Sequence, residues 1–268
     1  MTGLWALPIL AAAGAPEIAT IPQMLVGTYS NVEQVYFKSD AGKTPPPWLS
    51  LKIVEQDGQL LLHEINAYGE DAGPPKPVSL TEDGNDAMLK VGDCSRFFEK
   101  KAQGWAISAR QNRLRCQQEY QITKVDDDGI SLEFADGTET FLKRARAVQC
   151  WAAIPKKTAK EDGSADWLFA QKLELHDQGG RVKVGGGETG ADEIILRMRA
   201  VHWPPPSTNR PSMVLYVHKP DSPDSAVSYS WADIDASRVG LNLRWMQASC
   251  TIEGAEKASE VSKTNFRG

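Results

Sequence analysis

The chain has 268 residues, of which 41% are hydrophobic and 24% are charged, and its formal net charge is −5. This composition excludes wholesale disorder, which requires low hydrophobicity, and a surface that coats nucleic acid, which requires clustered Lys and Arg in excess. Because the net charge is negative, we expect no nucleic-acid partner. No apolar run approaches the roughly 18 residues that cross a bilayer, so we expect no membrane span. The length allows one large β domain or two ordinary ones.

An apolar stretch without charged side chains opens the chain. Residues 4–15 read "LWALPILAAAGA", an apolar run followed by small residues, as in the h-region and cleavage site of a signal peptide. The first basic side chain is Lys38, so either the α-amino group supplies the charge of the n-region or the true start lies upstream. We predict a signal peptide over residues 1–18 and a periplasmic or secreted protein. The alternative is a buried N-terminal strand or helix.

The four cysteines are Cys94, Cys116, Cys150 and Cys250. They form no CxxC pair and have no histidine nearby, which is a poor spacing for zinc, so no metal site is expected. In an oxidising compartment they predict two disulfides with three connectivities. Because Cys94 and Cys116 flank one apparent hairpin, that pair is favoured, which leaves Cys150 with Cys250. The alternative is four buried free thiols.

From Trp48 onward, short alternating runs are separated by turn residues. "LSLKIVEQ" and "QLLLHEINAY" flank Asp57-Gly58, a pair typical of a type I′ hairpin turn. "EYQITKV", "ISLEF" and "TETFLKRA" form a three-strand meander. Because no long helical pattern separates the runs, the sequence predicts a mainly β, antiparallel structure, with helix only within residues 19–38. Alternation predicts that one set of side chains faces inward: Phe97, Trp105, Ile107, Tyr120, Ile122, Leu132, Phe134 and Phe141.

A charged, breaker-rich segment, "IPKKTAKEDGSAD" at residues 154–166, is typical of a linker. It predicts a first β domain at 19–153 and a second, β-sandwich-like domain at 167–253. The small, polar residues 254–268 predict a flexible tail.

Motifs for catalysis are weak. "GGGETG" at residues 185–190 is followed by a strand-like pattern and not by a helix, so it predicts a hairpin connection and not a phosphate loop. His176-Asp177 could be half of a catalytic triad, but the sequence has no GxSxG motif to supply the nucleophile. Carboxylates are common on solvated strands, and only the fold can bring a catalytic pair together. The carboxylates that could form such a pair are Glu55, Glu64, Glu70 and Asp71. We therefore name no catalytic residue and lean against an enzyme.

Two predicted strands near the C-terminus carry aromatic side chains at period two. Val227, Tyr229 and Trp231 share one face of their strand, and Leu241, Leu243 and Trp245 share a face of another. We predict that Trp231 and Trp245 are buried in a core, whereas an exposed row would be a platform for stacking sugars. On other faces Arg197 and Arg199, together with Asn242 and Arg244, could converge on an anionic ligand or form a solvated face.

The segment "LVGTYSNVEQV" at residues 25–35 resembles the opening of the T-type chromophore (bilin) lyases of phycobiliproteins and their non-photosynthetic relatives. "VEQ" at 54–56, "GDC" at 92–94 and "FLKR" at 141–144 follow in the same order as in that family. The resemblance covers about half of the chain. It implies a calycin-like antiparallel β-barrel that holds an open-chain tetrapyrrole in its mouth. The family's Pro-Tyr-Arg-x-Arg is replaced by "LLLHEINAY", and its Asp-Arg-Gly by "EFADGT".

Three functional hypotheses follow. The first is an exported calycin-like protein that binds a small apolar or elongated ligand in a β-barrel. The second is an extracytoplasmic carbohydrate-binding or adhesion module that uses the C-terminal aromatic side chains. The third, ranked last because of the missing arginines, is a bilin-lyase-like enzyme with a tetrapyrrole-like ligand. No bound cofactor is expected. The candidate ligand-binding residues are Tyr29, Asn31, Gln34, Glu55, His63, Arg197, Arg199 and Arg244.

Overall fold

A computed structural model describes residues 20–108 and 118–253. Within these residues the chain is mainly β, as predicted, and has two short α-helices, α1 (Ile21–Leu25) and α2 (Val32–Asp40). Neither described helix is long and apolar enough to span a membrane. The first ten strands are β1 (Gly27–Ser30), β2 (Ser50–Gln56), β3 (Gln59–Glu64), β4 (Lys76–Asp83), β5 (Asp86–Val91), β6 (Cys94–Lys101), β7 (Gly104–Ile107), β8 (Tyr120–Val125), β9 (Gly129–Phe134) and β10 (Glu139–Ala145).

Eight further strands follow in the described part of the chain. They are β11 (Ala147–Ala159), β12 (Ala165–His176), β13 (Gln178–Val184), β14 (Ile194–Val201), β15 (Ser212–Lys219), β16 (Ser222–Asp233), β17 (Arg238–Leu243) and β18 (Met246–Ile252). A single 3₁₀ turn, Gly187–Thr189, lies within the glycine-rich segment that joins β13 to β14. That segment is thus a connection between two antiparallel strands, as predicted.

Strands β1 to β10 close into an antiparallel barrel, in which each strand pairs with the next along the chain and β1 pairs with both β2 and β10. The first hairpin is as predicted, because Asp57 and Gly58 both have positive φ (52° and 75°), as a type I′ turn requires. Two-residue turns of this kind match the right-handed twist of the flanking strands, which favours closure of the sheet.

Side chains fill the interior of the barrel. Helix α1 contributes Ile21, Met24 and Leu25 to this cluster at one end, next to Tyr29. The other buried members are Leu51, Ile53, Leu62, Val78, Ala87, Leu89, Val91, Phe98, Trp105, Tyr120, Ile122, Val125, Ile130, Leu132, Phe134 and Leu142. The interior is therefore a packed core.

Six of the eight side chains predicted to face inward belong to this core or pack against it, and two do not. Phe97 is only half-buried, because its neighbour Phe98 takes the inward position on β6. Phe141 is exposed, because Leu142 is the inward residue of β10. In both strands two apolar residues are adjacent, so alternation alone does not decide which one faces the core.

Two four-stranded antiparallel sheets follow the barrel. Sheet I has the strand order β12-β11-β18-β17, and sheet II has the order β13-β14-β15-β16. Both contribute to one hydrophobic cluster that includes Ile154 and Ala248 from sheet I and Leu196, Met198 and Leu215 from sheet II. The two sheets therefore pack against each other on their apolar faces. The division of the chain into two domains stays a prediction.

The segment 154–166 is not the linker that its composition predicts. β11 continues to Ala159 and pairs with β12, which begins at Ala165, so these residues form one long hairpin. A turn separates the two strands. Within it the amide of Gly163 donates a hydrogen bond to the carbonyl of Lys160. The charged side chains are compatible with a strand here because the end of the hairpin is solvent-exposed.

A disulfide joins Cys150 of β11 to Cys250 of β18, which are opposite each other in the ladder with their Cα atoms 4.0 Å apart. This part of the cysteine prediction is confirmed. Cys116 lies outside the described residues, as do the predicted signal peptide (1–18) and tail (254–268), so those predictions stay open.

Polar contacts attach the barrel to sheet II. The guanidinium of Arg146, between β10 and β11, lies 2.6 Å from the carboxylate of Asp177, which is buried between β12 and β13. In a second contact, the backbone amide of His202 donates to the carboxylate of Glu33 in α2 (2.8 Å). Helix α2 is thereby held beside the first two strands of sheet II, where the candidate site lies.

Candidate functional site

Three predicted ligand-binding residues are engaged in closing the end of the barrel. The buried hydroxyl of Tyr29 donates toward the carbonyl oxygens of Met24 and Leu25 and accepts from Arg144 (2.8 Å). Burial raises the pKa of Tyr29 to about 12, although the nearby Arg144 opposes this shift. The Tyr29 side chain is therefore a neutral structural element.

Asn31 and Gln34 are engaged in the same way. The amide of Asn31 donates to the carbonyl of Pro47 (2.8 Å) and to the hydroxyl of Thr140 (3.0 Å), and its oxygen accepts from the amide of Leu49 (2.9 Å). The hydroxyl of Thr140 donates to Gln34 (2.6 Å). These contacts fix the start of α2 against β10 and the segment before β2.

The other two barrel candidates lie elsewhere. Glu55 is exposed close to the β2–β3 turn, and His63 pairs with Asp71 at 2.9 Å between Nδ1 and Oδ1. Among the described contacts, no hydrogen bond joins either residue to Tyr29, Asn31 or Gln34, so the predicted barrel residues do not form one polar cluster.

Packed side chains leave little room inside the barrel, although an open cleft of about 380 Å³ lies along β4, β5 and β6, beside Ala87, Phe97 and Phe98. A cavity of about 20 Å³ lies between β3, β5, β6 and β8, beside Leu62, Leu89 and Tyr120. A site of this size holds roughly one water molecule. An elongated apolar ligand would have to displace packed side chains.

The outer face of sheet II carries large aromatic side chains in contact with solvent. Tyr229 and Trp231 on β16 are 57% and 46% exposed. The opposite face of this strand carries Ser228, Ser230 and Ala232, and Ala232 packs against the core between the sheets. The prediction that Trp231 is buried is therefore wrong: this strand turns its small residues inward and its large residues outward.

The burial predicted for Trp245 is also wrong, since its side chain is 39% exposed. Strand β17 ends at Leu243, and Trp245 lies in the turn before β18. The alternation that Leu241 and Leu243 establish does not continue through a turn. Trp245 lines an open cleft together with Lys219 and with Val227 of β16.

Four rings form a continuous surface, which we call the aromatic platform: Trp203, Tyr216, Tyr229 and Trp231. The rings of Trp203 and Trp231 are stacked with centroids 6.0 Å apart, and Tyr229 contacts Trp231 edge to face at 5.9 Å. Tyr216 lies 6.2 Å from Tyr229. Trp203 comes from the loop between β14 and β15, and Phe37 of α2 supports it at 5.8 Å. Each ring is therefore held by another ring.

Next to the platform lies an arginine cluster, Arg181, Arg197 and Arg199. Arg181 is opposite Arg197 in the β13–β14 ladder, Arg197 is opposite Tyr216, and Tyr216 is opposite Tyr229. One row across the sheet thus runs from two guanidiniums to two tyrosine rings. Sequence reasoning identified Arg197 and Arg199 but missed Arg181, because its position depends on the β13–β14 register.

Arg244 does not join this cluster. It is exposed in the turn between β17 and β18, which belong to sheet I. Asn242 lies exposed on β17 of the same sheet. The predicted convergence of Arg197, Arg199 and Arg244 on one ligand is therefore wrong for Arg244.

The positive charge of the cluster is poorly compensated. Arg199 is only 4% exposed, yet its Nε and Nη2 have no hydrogen-bond partner, and its guanidinium lies 4.3 Å from the centre of the Tyr36 ring. Among the described residues the one carboxylate paired with the cluster is Asp224, 2.8 Å from Arg181. Burial, followed by repulsion from Arg199 and Arg181, lowers the pKa of Arg197 to about 10.

A cleft of about 320 Å³ opens beside Arg197 and Arg181, between sheet II and the barrel elements. Its wall includes Gln178, which is buried and whose Oε1 has no partner, and His176, whose two ring nitrogens have none. Burial lowers the pKa of His176 to about 4, so this imidazole is neutral near pH 7. The remaining wall residues are Val32, Trp48, Ala67 and Gly179.

No family model, no curated protein and no solved structure matches this chain. Within the part of the chain that the structure describes, no group of three or more His, Cys, Asp and Glu side chains could hold a metal ion. The arrangement of the platform, the arginine cluster and the cleft is therefore interpreted from its own geometry.

Proposed function

We propose that the protein is a carbohydrate-binding module whose binding surface is the aromatic platform. The observation that carries this proposal is the outward orientation of Tyr229 and Trp231 on a strand that turns serines toward the core. Large apolar side chains that are grouped on a surface are typical of binding sites, since scattered ones are common but contiguous patches are not.

The chemistry of the platform suits a sugar. A pyranose ring has an apolar face of C–H groups and a rim of hydroxyls, so it needs a flat aromatic surface bordered by polar side chains. The rings of Trp203 and Trp231, whose planes differ by 18°, provide the flat part of the platform, Tyr229 and Tyr216 are inclined beside them, and the arginine cluster lies along the border. Because the rings already contact one another, little side-chain freedom remains to be lost when a ligand binds.

A calycin-like barrel remains our proposal for the fold of the first ten strands, and we propose a structural role for it. Its interior is occupied by side chains, and α2, which begins at its closed end, supports Trp203 through Phe37. Binding of an apolar or tetrapyrrole-like ligand inside the barrel, and lyase activity with such a ligand, are less well supported because the cavity among the packed interior side chains has a volume of only about 20 Å³.

We further propose that the protein works outside the cytoplasm. The Cys150–Cys250 disulfide supports this proposal, since structural disulfides form and persist mainly in oxidising compartments.

A screen of immobilised neutral and acidic glycans, with a single-tryptophan variant beside the wild type, tests the proposed function. We expect the wild type to bind at least one glycan class and Trp231→Ala to lose about five- to tenfold in affinity, since one aromatic contact contributes on the order of 1–1.5 kcal/mol. Trp167→Ala is the matched control, since this similarly exposed tryptophan lies on β12 of sheet I and should keep wild-type binding. Equal binding by the wild type and Trp231→Ala, or no glycan binding by the wild type, would overturn the proposal.

A further inference from the structure

We infer that the ligand of this surface is an acidic glycan, whose carboxylate or sulfate group binds at the arginine cluster. This inference rests on the proposed carbohydrate-binding function and adds the chemical class of the sugar. The evidence is the position, the burial and the unmet hydrogen-bonding capacity of Arg197, Arg199 and Gln178.

The cluster and the platform are adjacent parts of one surface. Arg197, Tyr216 and Tyr229 occupy matching positions on three neighbouring strands. Since neighbouring strands are about 4.8 Å apart, the backbone positions of Arg197 and Tyr229 are separated by roughly 10 Å. A short oligosaccharide can therefore stack one ring on the platform and place another at the cluster.

The charges of the cluster require a partner that the described residues do not provide. Buried arginines are normally paired, because burial of an uncompensated charge and of unbonded donors is costly. Arg199 is nearly fully buried with two donor nitrogens unbonded, and the Nε of Arg197 is also unbonded. An anion in the cleft that Arg181 and Arg197 line would compensate the positive charge of the cluster, and the planar guanidinium matches the paired oxygens of carboxylates and sulfates.

The cleft beside Arg197 also contains an unused acceptor. The Oε1 of Gln178 is buried without a partner, and the neutral His176 ring faces the same space. A simple inorganic anion would satisfy the arginines but not Gln178. An acidic sugar supplies an anionic group for the arginines and hydroxyl donors for the glutamine oxygen, so it fits both sets of atoms.

Matched pairs of oligosaccharides test the charge requirement. We would measure by calorimetry the binding of oligogalacturonate and of its methyl ester, in which the carboxylate is esterified, and of chondroitin and chondroitin sulfate, which both carry glucuronate carboxylates and differ in the sulfate. We expect the member with the free carboxylate or with the sulfate to bind about tenfold or more tightly in at least one pair, because a hydrogen bond to a charged group is worth enough for that factor. The pair that shows the difference identifies carboxylate or sulfate as the preferred group.

Substitutions test whether the arginine cluster causes this preference. Arg197→Gln should reduce the ratio of affinities within the discriminating pair to about one. Arg197→Lys, which keeps the charge but not the planar guanidinium, should give an intermediate ratio. Arg244→Gln is the control, because it removes the same charge from sheet I and should leave the ratio unchanged. Thermal melts would confirm that each variant is folded.

The outcomes separate the two proposals. Equal affinity for the two members in both pairs, with binding still lost in Trp231→Ala, would overturn the acidic class and leave the platform in place. An unchanged ratio in both Arg197 variants would also overturn the inference. Failure of every glycan to bind the wild type would overturn the inference together with the proposed function.

Discussion

The indole of Trp203 lies parallel to that of Trp231, with 18° between the ring planes and 6.0 Å between the centroids. Trp203 belongs to the loop after β14, and Trp231 belongs to the edge strand β16. Phe37 of α2 contacts the Trp203 ring from the barrel side. Three separate parts of the chain thus build one aromatic surface, and the surface depends on how the barrel and sheet II are held together.

The eight tryptophans should differ sharply in their contribution to stability. Trp105→Ala, which empties a fully buried position in the barrel, should lower the free energy of unfolding by about 3–5 kcal/mol. Trp231→Ala should lower it by less than about 1 kcal/mol, since nearly half of this side chain is exposed. Urea titrations of both variants give the comparison. A loss in Trp231→Ala as large as that in Trp105→Ala would assign Trp231 to a structural role.

Removal of a cationic side chain from the arginine cluster should not destabilise the ligand-free protein. Arg197→Met keeps most of the side-chain volume and removes a desolvated charge that Arg181 and Arg199 repel. We expect the free energy of unfolding to be unchanged or raised by about 1 kcal/mol, as for other poorly compensated buried ions. Denaturant titration at moderate salt measures it. A loss of several kcal/mol would mean that Arg197 has a structural partner.

Stability should fall as the pH falls from about 7 to 5, because His176 stays neutral in the folded protein. Its pKa is about 4 in the folded state, against about 6.5 in the unfolded chain, so unfolding takes up a proton within this window. The expected loss from this residue is about 2 kcal/mol at pH 5. Burial, together with Arg181 and Arg197, also lowers the pKa of His218, which acts in the same direction.

Unfolding curves of His176→Gln at the two pH values test this assignment. The variant should lose most of the pH dependence between pH 7 and 5. The exposed His202 provides the control variant His202→Gln, which should retain it. The same slope in wild type and His176→Gln would show that other groups bind the proton.

The disulfide between Cys150 and Cys250 should contribute strongly to stability. It closes a loop with a sequence separation of 100, so its loss should lower the free energy of unfolding by about 2–5 kcal/mol on chain-entropy grounds. The double variant Cys150→Ala/Cys250→Ala and non-reducing peptide mapping provide the measurements. Recovery of both cysteines as alkylated thiols from the native protein would contradict the bond.

Local signals predicted much of the barrel. Asp57-Gly58 specifies a tight turn by its backbone conformation, and Leu132 and Phe134 follow an alternation that decides the inward face of β9. These features depend on residues close together in sequence. The Cys150–Cys250 pair was also within reach, because four cysteines allow few connectivities.

The candidate site was harder to predict, because it depends on long-range pairing and on which face of a strand has space. The pattern of Tyr229 and Trp231 favoured burial, but β16 is an edge strand and the core beside it accommodates Ala232 instead. The contribution of Arg181 depends on its register with Arg197. The packing of the barrel interior was not predicted, because it depends on α1, which inserts its apolar side chains there.

Hydrogen exchange measured by mass spectrometry, with saturating oligogalacturonate or chondroitin sulfate and without it, tests the central claim most directly. The account predicts slower exchange in peptides that cover residues 194–233, which include β14 to β16 and the loop that carries Trp203. Peptides from the barrel strands around Leu62, Leu89 and Tyr120 should be unchanged. Protection confined to those barrel strands, or no protection of residues 194–233 with either glycan, would contradict the assignment of the binding surface to sheet II.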